Sequence, residues 1–318
     1  MAILFLTEAE VRQVLTMELA VAAVEDGFRR MAAGEAMNVP RRRARTPDVI
    51  LHTMSAGCAG YGLVGFKAYT TSGTGNRFHV VLYDGSTGEM VAMIEADWLG
   101  RIRTGAASGV ATAHMARPDA SEVGILGGGA QARTQLLAMC AVRPITEAHV
   151  YCRNAQQREQ FAAEMEKLCG ISVVPVRRPE EAVEDMDIVI TATTSREPVL
   201  NGEWLREGTH LNAIGSNALN RAELDATTIR RADVIVADSV EQCQIEAGDF
   251  VVALEQGILH WSRVHELADV VAGRQTGRPT PESITLFKSL GLAIEDLAVA
   301  RVVLQRAKES GLGRELPC

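Results

Sequence analysis

Gly127, Gly129 and Ala132 stand in the spacing G-x-G-x-x-A, between a short apolar run, Val123 to Leu126, and a stretch of good helix formers, Ala130 to Met139. A strand that turns into a helix through this pattern can hold a dinucleotide pyrophosphate. The first glycine allows the tight turn, the second removes a side chain that would block the phosphates, and the small third residue lets helix and strand pack closely. Backbone N–H groups and the positive end of the helix dipole then face the anion. Cofactor contacts are therefore expected from Gly127, Gly129, Ala130, Gln131 and Ala132. A second strand, Glu147 to Cys152, ends at Arg153 and Asn154, with Arg158 one turn further on. An acid at this point would accept from the ribose 2′-hydroxyl, whereas an arginine suits a 2′-phosphate. Arg153, with Asn154, points to NADP in preference to NAD; the alternative is a solvated arginine starting a helix. Thr191, Thr193 and Thr194 follow another strand candidate, at the carboxyl edge where open α/β sheets bind ligands. A separate cluster, Arg41, Arg42, Arg43 and Arg45, is either a solvated face or a site for a carboxylate.

The elements that must carry these residues fall into two patterns. From Ser121 onward, strand candidates (123–126, 149–152, 171–176, 188–193, 210–214 and 234–238) alternate with helical segments, as in a doubly wound parallel sheet. Further helices are expected near 241–254 and 263–272. Before Ser121 the pattern differs. Thr7-Glu-Ala-Glu10 has the capping-box form, and a helix is expected from Glu18 to Ala33. Short β-type runs follow at 49–53, 63–69, 79–83 and 90–95, then a helical stretch from Trp98 to Ala116. The last segment, 284–311, starts like a strand and becomes a long helix that can pack back on the first region. Expected domains are residues 1–118 with 292–318, an α+β unit, and residues 119–291, the α/β dinucleotide-binding unit.

The 318 residues, 47% hydrophobic and 23% charged, suit a globular enzyme with ample core. A net charge of −8 disfavours nucleic acid and anionic membranes as partners. No apolar run approaches a bilayer span, and the acidic start lacks the basic region of a signal peptide. The six cysteines, Cys58, Cys140, Cys152, Cys169, Cys243 and Cys318, form no CxxC pair, so reduced cytoplasmic thiols and no metal site are expected.

Several stretches, taken together and in order, carry a resemblance. Pro40-Arg41-Arg42, Gly65-Phe66-Lys67, Arg103-Thr104-Gly105, the glycine turn, Gly202 to Gly215 and Phe287-Lys288-Ser289 to Asp296 resemble the ornithine cyclodeaminase/mu-crystallin family over nearly the whole chain. The resemblance implies a Rossmann domain inserted into a substrate domain built from both chain ends, and a homodimer joined through the substrate domain. It places a carboxylate-binding arginine at Arg42, with Arg41 or Arg43 as the alternatives if the register shifts. It places a lysine at Lys67, which can hydrogen-bond an imine nitrogen or carbonyl and donate a proton. It places a second carboxylate-binding arginine at Arg103, Thr104 near the cofactor phosphates, His79 in the pocket lining, and Thr193, Thr194, Ile214 and Ser289 at the cofactor. Where ornithine cyclodeaminase has an aspartate for the distal amine, this chain has Asn217. An amide can neither act as a base nor balance an ammonium. The activity implied is an NAD(P)-dependent oxidoreductase acting on a small 2-imino or 2-oxo acid. A cyclodeaminase that recycles its NAD, or a non-enzymatic binder of NADP and ligand, are the other activities known in the family.

Overall fold

The computed structural model of the chain describes residues 3–317, so Cys318 lies outside the described residues. In chain order the elements are β1 (Ile3–Leu6), α1 (Glu8–Val14), α2 (Met17–Ala32), β2 (Ala36–Arg45), β3 (Val49–Cys58), β4 (Leu63–Ser72), β5 (Gly75–Asp84), β6 (Met90–Glu95) and α3 (Asp97–Met115). There follow β7 (Glu122–Leu126), α4 (Ala130–Val142), β8 (Glu147–Tyr151), α5 (Ala155–Cys169), β9 (Ser172–Pro175), β10 (Ile188–Thr191), β11 (His210–Ala213), α6 (Ala226–Arg231) and β12 (Val234–Ala237). The chain closes with α7 (Val240–Glu246), α8 (Gly248–Glu255), β13 (Val264–Glu266), α9 (Leu267–Val271), β14 (Thr285–Lys288), α10 (Ala293–Glu309) and β15 (Arg314–Leu316). Two compact units result: residues up to Ala106 with those from Gly291 onward, and Ala107–Leu290. The first boundary falls inside α3, not after it, because that helix runs unbroken from Asp97.

The unit made from both chain ends holds a seven-stranded sheet in the order β15-β1-β6-β5-β4-β3-β2. The capping box at Thr7 forms: its hydroxyl accepts the Glu10 N–H, and the Glu10 carboxylate accepts the Thr7 N–H at 2.8 Å. Strands β2 to β5 are long antiparallel ribbons, with α10 against one face. Gly65 permits that approach: a Cβ there would sit 3.1 Å from the Leu297 methyl and 2.6 Å from the Val81 carbonyl. Strand β2, which the sequence shows only as a basic run, is kept in the sheet despite Pro40 by a bulge. Val39 pairs with Ser55 and Arg42 with Thr53, so Pro40 and Arg41 together oppose Met54. Proline has no N–H for the ladder, and a bulge accommodates that defect.

The second unit is an eight-stranded, all-parallel sheet in the order β13-β12-β14-β11-β10-β7-β8-β9. The order reverses between β7 and β10, the switch point at which doubly wound sheets bind ligands. Strands β7, β10, β11 and β12 are wholly or almost wholly buried, which explains their continuous apolar runs. Two expectations change. The helix expected at 241–254 is two helices, α7 and α8, because Gly248 lies against the 218–221 loop, where a Cβ would stand 1.9 Å from the Arg221 carbonyl. The helix expected at 263–272 begins as β13, whose Val264, His265 and Glu266 pair with β12.

Candidate active site

In the parallel-sheet unit the glycine turn follows β7. Gly127 has φ +122, and a Cβ there would stand 2.4 Å from the Ala192 carbonyl, so glycine is required on both counts. Gly129 is the N-cap of α4, no side chain caps that helix, and the space a Cβ would occupy is open. Arg133 turns back to donate to the Gly128 and Gly129 carbonyls at 2.9 and 3.1 Å and is held by Glu164 of α5. The carbonyls are thus tied down while the N–H groups at the start of α4 stay available. Gln131 carries a buried Oε1 without a partner, Ala130 is exposed and Ala132 is buried against the sheet. This cradle fits a pyrophosphate. Beyond β8, Arg153 is exposed, and Asn154 accepts the Gln157 N–H as the cap of α5.

A buried charge network organises the carboxyl edge of the same sheet. Lys288, wholly buried at the end of β14, lies 2.7 Å from Asp249 and donates to the Ser216 carbonyl at 2.7 Å. Asp249 accepts the Glu223 and Leu224 N–H groups. Glu223 in turn accepts the Thr191 hydroxyl, the Thr193 N–H and hydroxyl, and the Gly215 N–H, at 2.6–3.0 Å. Burial pushes the Lys288 ammonium down, but Asp249 and Glu223 outweigh it and hold its pKa above the usual lysine range. Burial, then Asp249, raises the Glu223 carboxyl. These groups fix the loops after β10 and β11. The Thr193 hydroxyl is therefore committed to Glu223, leaving Thr194, exposed, as the freer of the two predicted threonines. Ser289 is buried and donates to Asp238 at 3.4 Å, while Ile214 and Asn217 lie in the loop held by Ser216 and Gly215. Sequence reading passed over Glu223 and Asp249 and met Lys288 only inside a motif, with no role; three charged residues scattered over sixty-five positions give no local signal of a network.

In the other unit Lys67 and Arg103 come together on one carboxylate. Asp296, at the start of α10, accepts the Lys67 ammonium at 2.9 Å and the Arg103 Nε at 3.0 Å on the same oxygen, and Glu295 accepts from Arg103 at 2.8 Å. All four side chains are buried. Two glycines make room: a Cβ on Gly100 would stand 2.8 Å from the ammonium, and one on Gly291 (φ +81) 2.5 Å from the guanidinium. Burial, with the Arg103 charge, pushes the Lys67 pKa down to about 8, against the pull of Asp296. Thr104 is buried and donates to the Gly100 carbonyl at 2.8 Å.

Arg42 and His79 stand elsewhere. Strict alternation from Asn38 would turn Arg42 toward α10, but the bulge at Pro40 and Arg41 shifts the register by one. Arg41 is buried, with its guanidinium 3.4 Å from the Gly291 carbonyl, while Arg42 is exposed opposite Thr53 on the outer face. His79 pairs with Ala68, so it shares the outer face too, across from Lys67. The histidine on the Lys67 face is His52, opposite Tyr69 and 8% exposed.

Comparison with known proteins bears on this arrangement. A model of the ornithine cyclodeaminase/mu-crystallin family matches residues 1–311. The chain belongs to this family. An alanine dehydrogenase of Archaeoglobus fulgidus is 35% identical, with 99% of this chain and 98% of the relative covered. The structure of Thermococcus litoralis Δ1-pyrroline-2-carboxylate reductase in complex with NADH and L-proline is 36% identical, with a TM-score of 0.95 over 99% of this chain and 100% of that one. The iminosuccinate reductase of Paracoccus denitrificans in complex with NAD+ is 28% identical, with a TM-score of 0.94 over the whole of both chains.

In this family member the Lys288 network gives a direct test. Lys288→Met leaves Asp249 and Glu223 buried without a counter-charge, so unfolding free energy should fall by about 3–5 kcal/mol in urea titration. The loss should shrink as pH falls and Glu223, whose carboxyl burial pushes up, takes up a proton. A variant as stable as the parent at pH 8 would show that the network holds nothing in place.

Proposed function

We propose that the protein is an NAD(P)-dependent reductase of a small 2-imino or 2-oxo acid, run in either direction with the amino acid as product. The observation that carries this reading is the buried cluster in which Lys67, Arg103 and Asp296 meet beside Arg41. Arg41 and Arg103 would hold the substrate carboxylate, and Lys67, with its pKa at about 8, would donate a proton to the nitrogen. Asp296 fixes the ammonium and guanidinium relative to each other, so substrate orientation costs little rearrangement. The start of α4, with Gly127, Gly129, Ala130, Gln131 and Ala132, would take the pyrophosphate, and Arg153 a 2′-phosphate. A bound dihydronicotinamide supplies the hydride. A cyclodeaminase must also hold and deprotonate a distal amine, for which Asn217 offers no base. The apolar outer face around Met37 and Val64, with a depression of about 390 Å³, suits the homodimer that the family resemblance implies. The five described cysteines are free thiols, in keeping with a cytoplasmic setting, and no described helix is long and apolar enough to cross a membrane.

The test is a screen of NADH and NADPH oxidation with small 2-oxo acids and ammonia or methylamine. Net cofactor turnover with at least one acid is expected, with little or no proline formed from ornithine. Proline formation without net cofactor change would establish the cyclodeaminase instead; nucleotide binding without either activity would establish a binder.

Four variants sharpen the reading. Arg41→Ala should raise the Michaelis constant for the 2-oxo acid by about tenfold or more, the loss of a charge-assisted contact, and leave the cofactor constant nearly unmoved. If Arg42→Ala does this and Arg41→Ala does not, the inward assignment fails. The reductive rate should decline as pH rises through about 8, as the Lys67 ammonium is lost, and Lys67→Met should abolish turnover; a flat profile to pH 10 removes the proton-donor role. Calorimetry should find NADPH bound more tightly than NADH, with Arg153→Ala reducing the difference by roughly tenfold. Tighter NADH binding that ignores the substitution would reverse the cofactor assignment.

A further inference from the structure

The inner face of β2 to β5 carries more than the Lys67 cluster. One pleat further along, three rings from adjacent strands stand in a row. His52 stacks on Tyr69 at 4.2 Å with planes 3° apart, and Tyr69 on Phe78 at 5.0 Å. The Lys67 ammonium lies 5.9 Å from the Tyr69 ring and 5.5 Å from Phe78, so the rings stand beside the proposed proton donor. His52 is the polar member of this wall. Its Nε2 is 3.4 Å from the Thr71 hydroxyl, while its Nδ1 is buried without a partner. A buried ring nitrogen left unpaired costs stability unless a ligand completes it.

The neighbours decide what that ligand group is. The bulge at Pro40 turns Arg43, opposite His52, and Arg45 inward, and they follow Arg41 along β2. Burial and these three guanidiniums push the His52 pKa down to about 4, so the imidazole is neutral at physiological pH. A neutral imidazole can show the ligand either an N–H or a lone pair at Nδ1. A lone pair would call for a donor such as a distal ammonium, which the row of guanidiniums repels. The tautomer with the hydrogen on Nδ1, in which Nε2 accepts from the Thr71 hydroxyl, is the one that suits an anionic acceptor, and an anion is what the guanidiniums favour.

Resting on the reductase reading above, we propose that the substrate is a short dicarboxylic 2-imino or 2-oxo acid whose distal carboxylate accepts from His52 Nδ1 beside Arg43. The α-carboxylate goes to Arg41 and Arg103, and the chain between the carboxylates lies along Tyr69. In the reductive direction an oxo acid first condenses with ammonia and loses water; C2 of the imine then gains the hydride from the dihydronicotinamide, which is oxidised, and the nitrogen gains a proton, while the distal carboxylate is unchanged. The same surface disfavours substrates that end in an amine.

Two measurements on the whole protein test this. In turnover, kcat/KM for oxaloacetate with ammonia should exceed that for pyruvate with ammonia by about tenfold or more. His52→Phe, which keeps a ring on Tyr69 and removes Nδ1, should cut that ratio by about tenfold, and Arg43→Gln should lower it in the same direction. In calorimetry on the cofactor-loaded protein, succinate should bind at least tenfold more tightly than propionate, and His52→Phe should erase the difference. Equal handling of diacid and monoacid by the wild type, or a preference untouched by both variants, overturns the proposal even where pyruvate is reduced. Tighter succinate binding with no oxo acid turned over would instead sustain the diacid site and sink the reductase reading.

Discussion

One oxygen of Asp296 sets the terms for the unit built from the chain ends. Two cations, Lys67 and Arg103, are buried side by side, and desolvation together with mutual repulsion would drive them apart or strip the lysine of its proton. Sharing one carboxylate oxygen holds both in place without fully neutralising them. Lys67 is left with its pKa pushed down to about 8 and Arg103 above its usual range, as burial and the acids of α10 pull in opposite directions. The rest of the local backbone follows from that pairing. Gly100 gives the ammonium its space, Gly291 gives the guanidinium its own, and α10 starts where Glu295 and Asp296 can reach both.

The parallel-sheet unit meets the same constraint with the signs reversed. There a single buried ammonium, Lys288, serves two carboxylates, Asp249 and Glu223. The surplus negative charge is spread over backbone and hydroxyl donors: two N–H groups on Asp249 and four donors on Glu223. Such a network is weak evidence of net stability, since an apolar core of equal volume would do as well. Its effect is geometric. It ties the ends of β10, β11 and β14 to α8, and so gives the loops at the switch point one conformation.

The sequence revealed what depends on local pattern. Strand β7 and the glycine turn declared themselves because a φ of +122 and a close carbonyl leave glycine no substitute at 127. The strand and helix alternation of the parallel unit was legible for the same reason: buried parallel strands are continuous apolar runs. Lys67 and Arg103 were legible through motif resemblance. What escaped depends on long-range register. The split between α7 and α8 arises from a loop at 218–221, and β13 is a strand only because β12 lies beside it. His52 escaped because nothing in Val49 to Cys58 distinguishes it from any other inward residue until Tyr69 and Phe78 are stacked upon it.

The choice among Arg41, Arg42 and Arg43 shows how much can turn on one proline. Alternation alone sends Arg42 inward and leaves Arg41 and Arg43 on the outer face with Met37 and Val39. Pro40 cannot donate to β3, the strand bulges, and every arginine after it changes sides. The inner face thereby acquires three guanidiniums in succession, beside a lysine whose ammonium is already poised to lose its proton. The outer face keeps Arg42 at the edge of an apolar surface. A single defect in one ladder thus puts Arg42 on the opposite face from Arg41 and Arg43, and it sets the charge of the inner face.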